Sequence, residues 1–267
     1  MLFYDQLHRP VQLVSWPPRR IISLVPSQTE LLHFLGLDQA VVGITKFCVH
    51  PATWYASKPR VGGTKTLDFQ KIAALQPDLL LGNKEENEQG QINALAAQFP
   101  VWLSDINTLY EALDMIRQVG NLTDRDPAAK NLVDRLRADF DHLDRLSSND
   151  RPKPRVAYFI WRKPYMVAAA GTFIHDMLEH AGFTNVFAGQ MRYPQITLAE
   201  LTDARPDVIL LSSEPYPFAV KHFADLQEAC PAARIELVDG EAFSWYGSRL
   251  LHSPNYFRQL QQTVGFR

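Results

Sequence analysis

One long amphipathic segment near mid-chain, Asp126 to Leu146, constrains the fold more than any other stretch. Asp126-Pro127 supplies an N-cap and then a proline at the first helical position, where its missing N–H costs nothing. Leu132, Leu136, Phe140 and Leu143 recur at spacings of four and three, and Val133 and Leu146 widen that apolar face. Lys130, Asp134, Arg137, Asp141 and Arg145 fall mostly on the polar side. At 1.5 Å per residue the helix spans about 30 Å, the width of a small domain. The polar, proline-bearing stretch 147–154 ends it. This reads as a strut between two lobes: an N-terminal α/β lobe over 1–124, a connecting helix over 125–150 and a C-terminal α/β lobe over 151–267.

Both flanks carry alternating strand and helix patterns, which implies mainly parallel sheets. Arg20 to Leu24, Val41 to Ile44, Pro77 to Leu81 and Val101 to Leu103 are short apolar strands in the first half. Val156 to Trp161, Pro206 to Leu211 and Ile235 to Val238 are their counterparts in the second. A hairpin is expected around Leu7 to Pro10. Ser27 with Glu30 has the spacing of a capping box at the head of the first helix. Thr45 to Thr66 has few periodic apolar positions and reads as a loop. Ala74-Leu75-Gln76-Pro77-Asp78-Leu79 and Asp203-Ala204-Arg205-Pro206-Asp207-Val208 echo each other as helix end, Pro-Asp, buried strand. Each copy runs on into a loop containing glutamate.

Composition excludes several classes. A chain that is 21% charged, with a formal net charge of −2, has no basic excess to attract nucleic acid. No apolar run approaches the roughly 18 residues of a membrane span, so membrane insertion is not expected. Met1 to Val14 lacks the basic start and apolar core of a secretory signal, which makes the chain cytoplasmic as written and periplasmic if a leader was removed. Cys48 and Cys230 have no metal-like spacing. There is no nucleophile elbow, P-loop or dinucleotide fingerprint, so the chain does not read as an enzyme. Gly62-Gly63 suits a turn rather than a phosphate loop.

Arg20-Ile21-Ile22-Ser23-Leu24-Val25-Pro26-Ser27-Gln28-Thr29-Glu30, Val42-Gly43, Val61-Gly62-Gly63 and Ile72-Ala73-Ala74-Leu75-Gln76-Pro77-Asp78-Leu79 together resemble the class III, helical-backbone substrate-binding proteins of ABC importers. The resemblance covers nearly the whole chain and leans to the cobalamin-binding branch. It implies an α/β fold of two lobes with mainly parallel sheets, joined by one long rigid α-helix, with a ligand cleft between the lobes and little hinge motion. It implies a monomer that binds a metal-containing or metal-chelating small molecule, cobalamin or another corrinoid before ferric siderophore or haem. No intrinsic cofactor is implied, and an ABC permease is the implied partner. Trp245 and Tyr246 match a ligand-contacting aromatic segment of the cobalamin branch.

Strand carboxyl ends and the loops after them face the ligand in such architectures. That rule selects Lys46, Phe47, Cys48 and His50, then Asn83, Glu85 and Glu86, in the first half. In the second it selects Trp161, Lys163 and Tyr165, then Ser213, Glu214 and Tyr216, then Trp245, Tyr246 and Arg249. Flat aromatic walls suit a corrin or porphyrin; the competing reading is that these rings cap the lobe cores. Cys48 and His50 are candidate metal ligands, against a simple His50-Pro51 turn. Lys163 and Arg249 would meet a phosphate or carboxylate, and the glutamates a cation or the amides of a ligand rim, against solvated surface. Two other functions stay open: a cytosolic corrinoid- or metal-handling enzyme or sensor on the same fold, and a receptor for a bare metal ion.

Overall fold

The computed structural model describes residues 1–147 and 152–265. Ser148 to Arg151, the middle of the expected polar break, lie outside the described residues. By their internal contacts the described residues divide into two units. The first comprises Met1–Ile106, Tyr110–Arg135 and Tyr246–Arg249; the second takes Asn107–Leu109, the described residues from Leu136 to Trp245, and those from Leu250 onward.

The first unit opens with an antiparallel hairpin of β1 (Leu2–Tyr4) and β2 (Pro10–Gln12), Leu2 lying opposite Gln12. There follow β3 (Ile21–Ser23), α1 (Pro26–Phe34), β4 (Val41–Ile44), α2 (Ala52–Ser57), α3 (Phe69–Ala74), β5 (Leu79–Asn83), α4 (Gln89–Ala96), β6 (Val101–Ser104) and α5 (Leu109–Leu122). The sheet order is β4-β3-β5-β6, with every pairing parallel. Every residue of β3, β5 and β6 is buried, so these strands read as continuous apolar runs rather than alternating ones.

The mid-chain helix is α6 (Asp126–Ser147), 22 residues long, as its periodicity requires. It begins in the first unit and continues into the second, the division falling between Arg135 and Leu136. Its apolar stripe, Leu132, Val133, Leu136, Phe140 and Leu143, is buried.

The second unit contains β7 (Arg155–Arg162), β8 (Tyr165–Val167), α7 (Phe173–His180), β9 (Thr184–Asn185), α8 (Leu198–Ala204), β10 (Val208–Ser212), α9 (Phe223–Ala229), β11 (Arg234–Val238), α10 (Glu241–Ser244) and α11 (Ser253–Thr263). Its sheet runs β11-β10-β7, all parallel; antiparallel β8 pairs with the end of β7 and parallel β9 with its start.

The Pro-Asp echo is a repeated hydrogen-bonding device. In the first unit Asp78 accepts the backbone N–H groups of Arg19 and Arg20 at 2.7 and 2.8 Å, and its own N–H reaches the Arg20 carbonyl at 3.0 Å. The Arg20 guanidinium returns to cap the end of α3 through the carbonyls of Leu75 and Gln76. In the second unit Arg155 and Asp207 repeat this, with the Arg155 guanidinium on the carbonyls of Ala204 and Arg205 at the end of α8. Gln76 and Arg205 both turn the chain at positive φ, 45° and 47°.

Two local expectations are corrected. The first helix is not capped by Ser27: its N-cap is Val25, without a side-chain cap, and Pro26 takes the first turn. Proline's fixed φ suits that position, so the helix starts before Ser27, which is buried inside it. The stretch from Thr45 to Thr66 is not all loop. It contains α2, whose single buried side chain, Trp54, donates its indole N–H to Asp38 at 2.8 Å. Six residues with one buried anchor leave no readable period.

Candidate functional site

In the first unit the sequence-selected residues separate into an exposed pair and a buried set. Lys46 and Phe47, just past β4, are exposed, with the ammonium 5.1 Å from the ring centroid. They lie over the turn at Gly62-Gly63. Gly62 has φ +101°, and a Cβ there would stand 2.4 Å from the Thr66 carbonyl oxygen. A Cβ on Gly63 would stand 3.1 Å from Phe47 Cε2. The glycines therefore serve a close-packed turn.

Cys48 is buried among hydroxyls, its sulfur 3.0 Å from Thr29 Oγ1 and 3.1 Å from Thr45 Oγ1. Burial pushes its thiol up, against the pull of those two hydrogen bonds. His50 is half-buried and precedes Pro51. Among the described residues, no three His, Cys, Asp or Glu side chains gather so that they could hold a metal ion.

Asn83 is a loop organiser. Its Oδ1 accepts the N–H groups of Glu85 and Glu86 at 2.8 and 3.0 Å, and its Nδ2 donates to Ser104 Oγ at 3.0 Å. Asn87 locks the other side, its Oδ1 accepting the Asn83 N–H at 2.9 Å. This network presents Glu85 half-buried and Glu86 exposed. Tyr246 is 6% exposed. Burial drives its phenol well above the ordinary value, Glu86 adding to the rise while Ser27 and Ser104 oppose it. Arg249 Nε donates to Glu30 Oε2 at 2.9 Å, and Gly247, at φ +99°, lets the chain pass close to Leu31. The segment Tyr246–Arg249 is thereby seated on α1.

In the second unit Trp161 and Tyr216 meet. Trp161, near the carboxyl end of β7, is 39% exposed and packs edge-on against Tyr216, which follows β10, at 5.6 Å between centroids. Phe218 and His222 support Tyr216 from behind, at 4.8 and 5.4 Å. His222 Nδ1 accepts the Ala219 N–H at 3.0 Å, so a neutral ring carries its proton on Nε2, which faces the Tyr216 hydroxyl at 3.4 Å. Tyr165 stacks edge-on against Phe159 and donates to Asp225 Oδ2 at 3.3 Å. Arg162 Nη2 donates to the same oxygen at 2.8 Å and holds the Asp225 carboxyl below its ordinary value. Lys163 is exposed between β7 and β8.

Glu214 points inward. Its Oε1 accepts from Ser244 Oγ at 2.7 Å and from the Trp245 indole at 2.9 Å. Burial raises its carboxyl pKa, Glu241 and Asp239 adding to the rise against the two hydrogen bonds. Trp245 is 7% exposed. Ser213 Oγ accepts the Gly240 N–H at 2.9 Å.

Of the sequence-selected residues, Lys46, Phe47, Glu86, Trp161 and Lys163 are exposed, whereas Cys48, Asn83, Trp245 and Tyr246 are buried. The sequence does not single out Phe218, His222 or Asp225. The signal was the density of rings from Tyr216 to Phe223, interrupted by one histidine.

The profile of the family described as periplasmic binding protein matches residues 21–229. The chain belongs to the periplasmic binding protein family. This is a family of binding proteins, not of enzymes, and the fold is that of its helical-backbone class, two α/β units with a long helix running from one into the other. This periplasmic binding protein is 25% identical over 214 residues to the vitamin B12-binding protein of Vibrio parahaemolyticus, covering 79% of this chain and 75% of that one. Among solved structures, the periplasmic vitamin B12 binding protein of Vibrio cholerae superposes with a TM-score of 0.80 at 21% identity, over 94% of this chain and 99% of that one. The periplasmic heme-binding protein of Roseiflexus superposes at 0.78 and 21% identity, over 92% and 97%. No helix among the described residues is long and apolar enough to cross a membrane.

Proposed function

We propose that this periplasmic binding protein carries a metal-chelate small molecule, a corrinoid such as cobalamin before haem or a ferric siderophore, to an ABC-type permease. It does so without catalysis and works in the periplasm, the compartment named for the solved structures it resembles. The observation that carries the reading is the partly exposed Trp161–Tyr216 wall, braced from behind by Phe218 and His222. Two edge-on rings held rigidly give a large planar ligand apolar area at little cost in side-chain entropy.

Titration of the purified protein with cyanocobalamin, haemin and ferrichrome, followed by calorimetry and tryptophan fluorescence, tests this. One-to-one binding of cyanocobalamin at about micromolar Kd or tighter is expected. Failure of all three to bind overturns the proposal; preference for haemin or ferrichrome overturns the corrinoid assignment.

A further inference from the structure

A cavity of about 520 Å3 lies wholly within the first unit, between the β1–β2 hairpin, the end of β6 and α5. Its size falls within the range of small-ligand sites. Tyr4 and Tyr110, 59% and 78% exposed, and the edge of buried Trp102 give it aromatic walls. The Trp102 indole N–H is occupied, donating to the Tyr4 carbonyl at 3.2 Å.

Two polar side chains on its α5 side, Asp114 and Gln118, matter for what it could hold. Asp114 accepts only from neutral amides, Gln118 Nε2 at 2.6 Å and Gln6 Nε2 at 3.4 Å, and pairs with no cation among the described residues. Gln118 Oε1 is buried and has no hydrogen-bond donor. The neighbouring carboxylates differ: Asp5 is paired with Arg9 and Asp105 with Lys84, each at 2.6 Å. An anion entering here would meet the unneutralised Asp114. A neutral apolar guest would strip water from the Asp114 carboxylate and supply no counter-charge. A cation with several N–H donors answers Asp114, and the ring faces of the tyrosines add attraction for it.

We propose that this cavity binds a small organic cation, a guanidinium or primary ammonium carried on an apolar body. Asp114 is the counter-charge and Tyr110 the wall.

Agmatine, with a guanidinium and an ammonium on a short alkyl chain, is the probe; butylurea, of similar shape and no charge, is its control. Amide resonances of Gln6, Tyr110 and Gln118 are followed as each is added to the full chain. Saturable shifts with agmatine and none with butylurea are expected. Asp114→Asn should weaken agmatine at least about tenfold and leave the cyanocobalamin titration unchanged, which separates this proposal from the transport reading. Tyr110→Ala, at an exposed position that should not disturb folding, should weaken it several-fold. No shift at these amides, equal response to butylurea, or undiminished binding by the Asp114 variant overturns the proposal.

Discussion

Arg155 and Asp207 exchange two hydrogen bonds of 2.8 Å: the Arg155 N–H donates to the Asp207 carboxylate, and the Asp207 N–H to the Arg155 carbonyl. One aspartate thus fixes where β7 and β10 begin relative to each other, while the arginine side chain closes the helix that leads into β10. Arg20 and Asp78 do the same for β3 and β5. Two units that share no long sequence match share this joint.

Asp78→Ala removes both accepted N–H bonds, leaving the Arg19 and Arg20 amides to water. A loss of about 1–2 kcal/mol is expected, read as a lower urea midpoint with unchanged slope. Asp207→Ala should lose no more than that, because Asp207 is the more exposed of the two. An unchanged midpoint in both variants would show that the joint is incidental.

Arg205 turns out of α8 at φ 47°, a conformation costly for any residue with a Cβ. Its side chain is exposed, so Arg205→Gly should raise stability by about 0.5–1 kcal/mol after the added freedom of the unfolded chain is deducted. Arg205→Val should lower it. Thermal midpoints of the two variants should move in opposite directions; a shared direction would refute the strain argument.

Much of this architecture was legible beforehand, for reasons that also explain the failures. Parallel strands buried on both faces appear as unbroken apolar runs, so β5 and β10 stand out behind their Pro-Asp leads. The arginines that complete the joint were equally visible, Arg20 before Ile21 and Arg155 before Val156, but a charge ahead of a strand has no signature until its partner is known. Strands β8 and β9, with three and two residues, are too short to carry a pattern of their own and are defined by their pairing with neighbouring chain, β7 above all. At the candidate site, chain position selected Trp161, Tyr216 and Trp245 alike. Three-dimensional packing distinguishes them: Trp161 is partly exposed, whereas Trp245 is buried with its N–H on Glu214.

Trp161→Ala should therefore separate binding from stability. Ligand affinity should fall at least about tenfold, as expected for an aromatic anchor, with a stability change near 1 kcal/mol. Trp245→Phe should instead lower stability, because Glu214 loses a donor in a buried place. Calorimetric titration and urea unfolding of both variants provide the check. Unchanged affinity in the Trp161 variant would remove the wall from the binding surface.

Glu214 supplies a pH test. Its folded pKa is raised above the ordinary 4.5, so over the interval from about pH 4.5 up to that raised value the folded chain holds a proton the unfolded chain has released. Its contribution is complete below the ordinary value and declines as pH rises through the folded one. Glu214→Gln keeps the acceptor for Ser244 and Trp245 but cannot ionise. The variant should gain on the wild type as pH rises from about 4 to 7. A parallel pair of stability–pH curves would contradict this.

The segment Tyr246–Arg249 has a consequence for dissection of the chain. Helix α6 carries the polypeptide out of the first unit at Arg135, yet Gly247 and Arg249 bring it back to α1, against Leu31 and Glu30. A gene truncated after α6 would yield a first unit without one of its own pieces, its Leu31 face uncovered and Glu30 deprived of its arginine. No single cut separates the halves, so the chain must be inherited, expressed and engineered as one indivisible module.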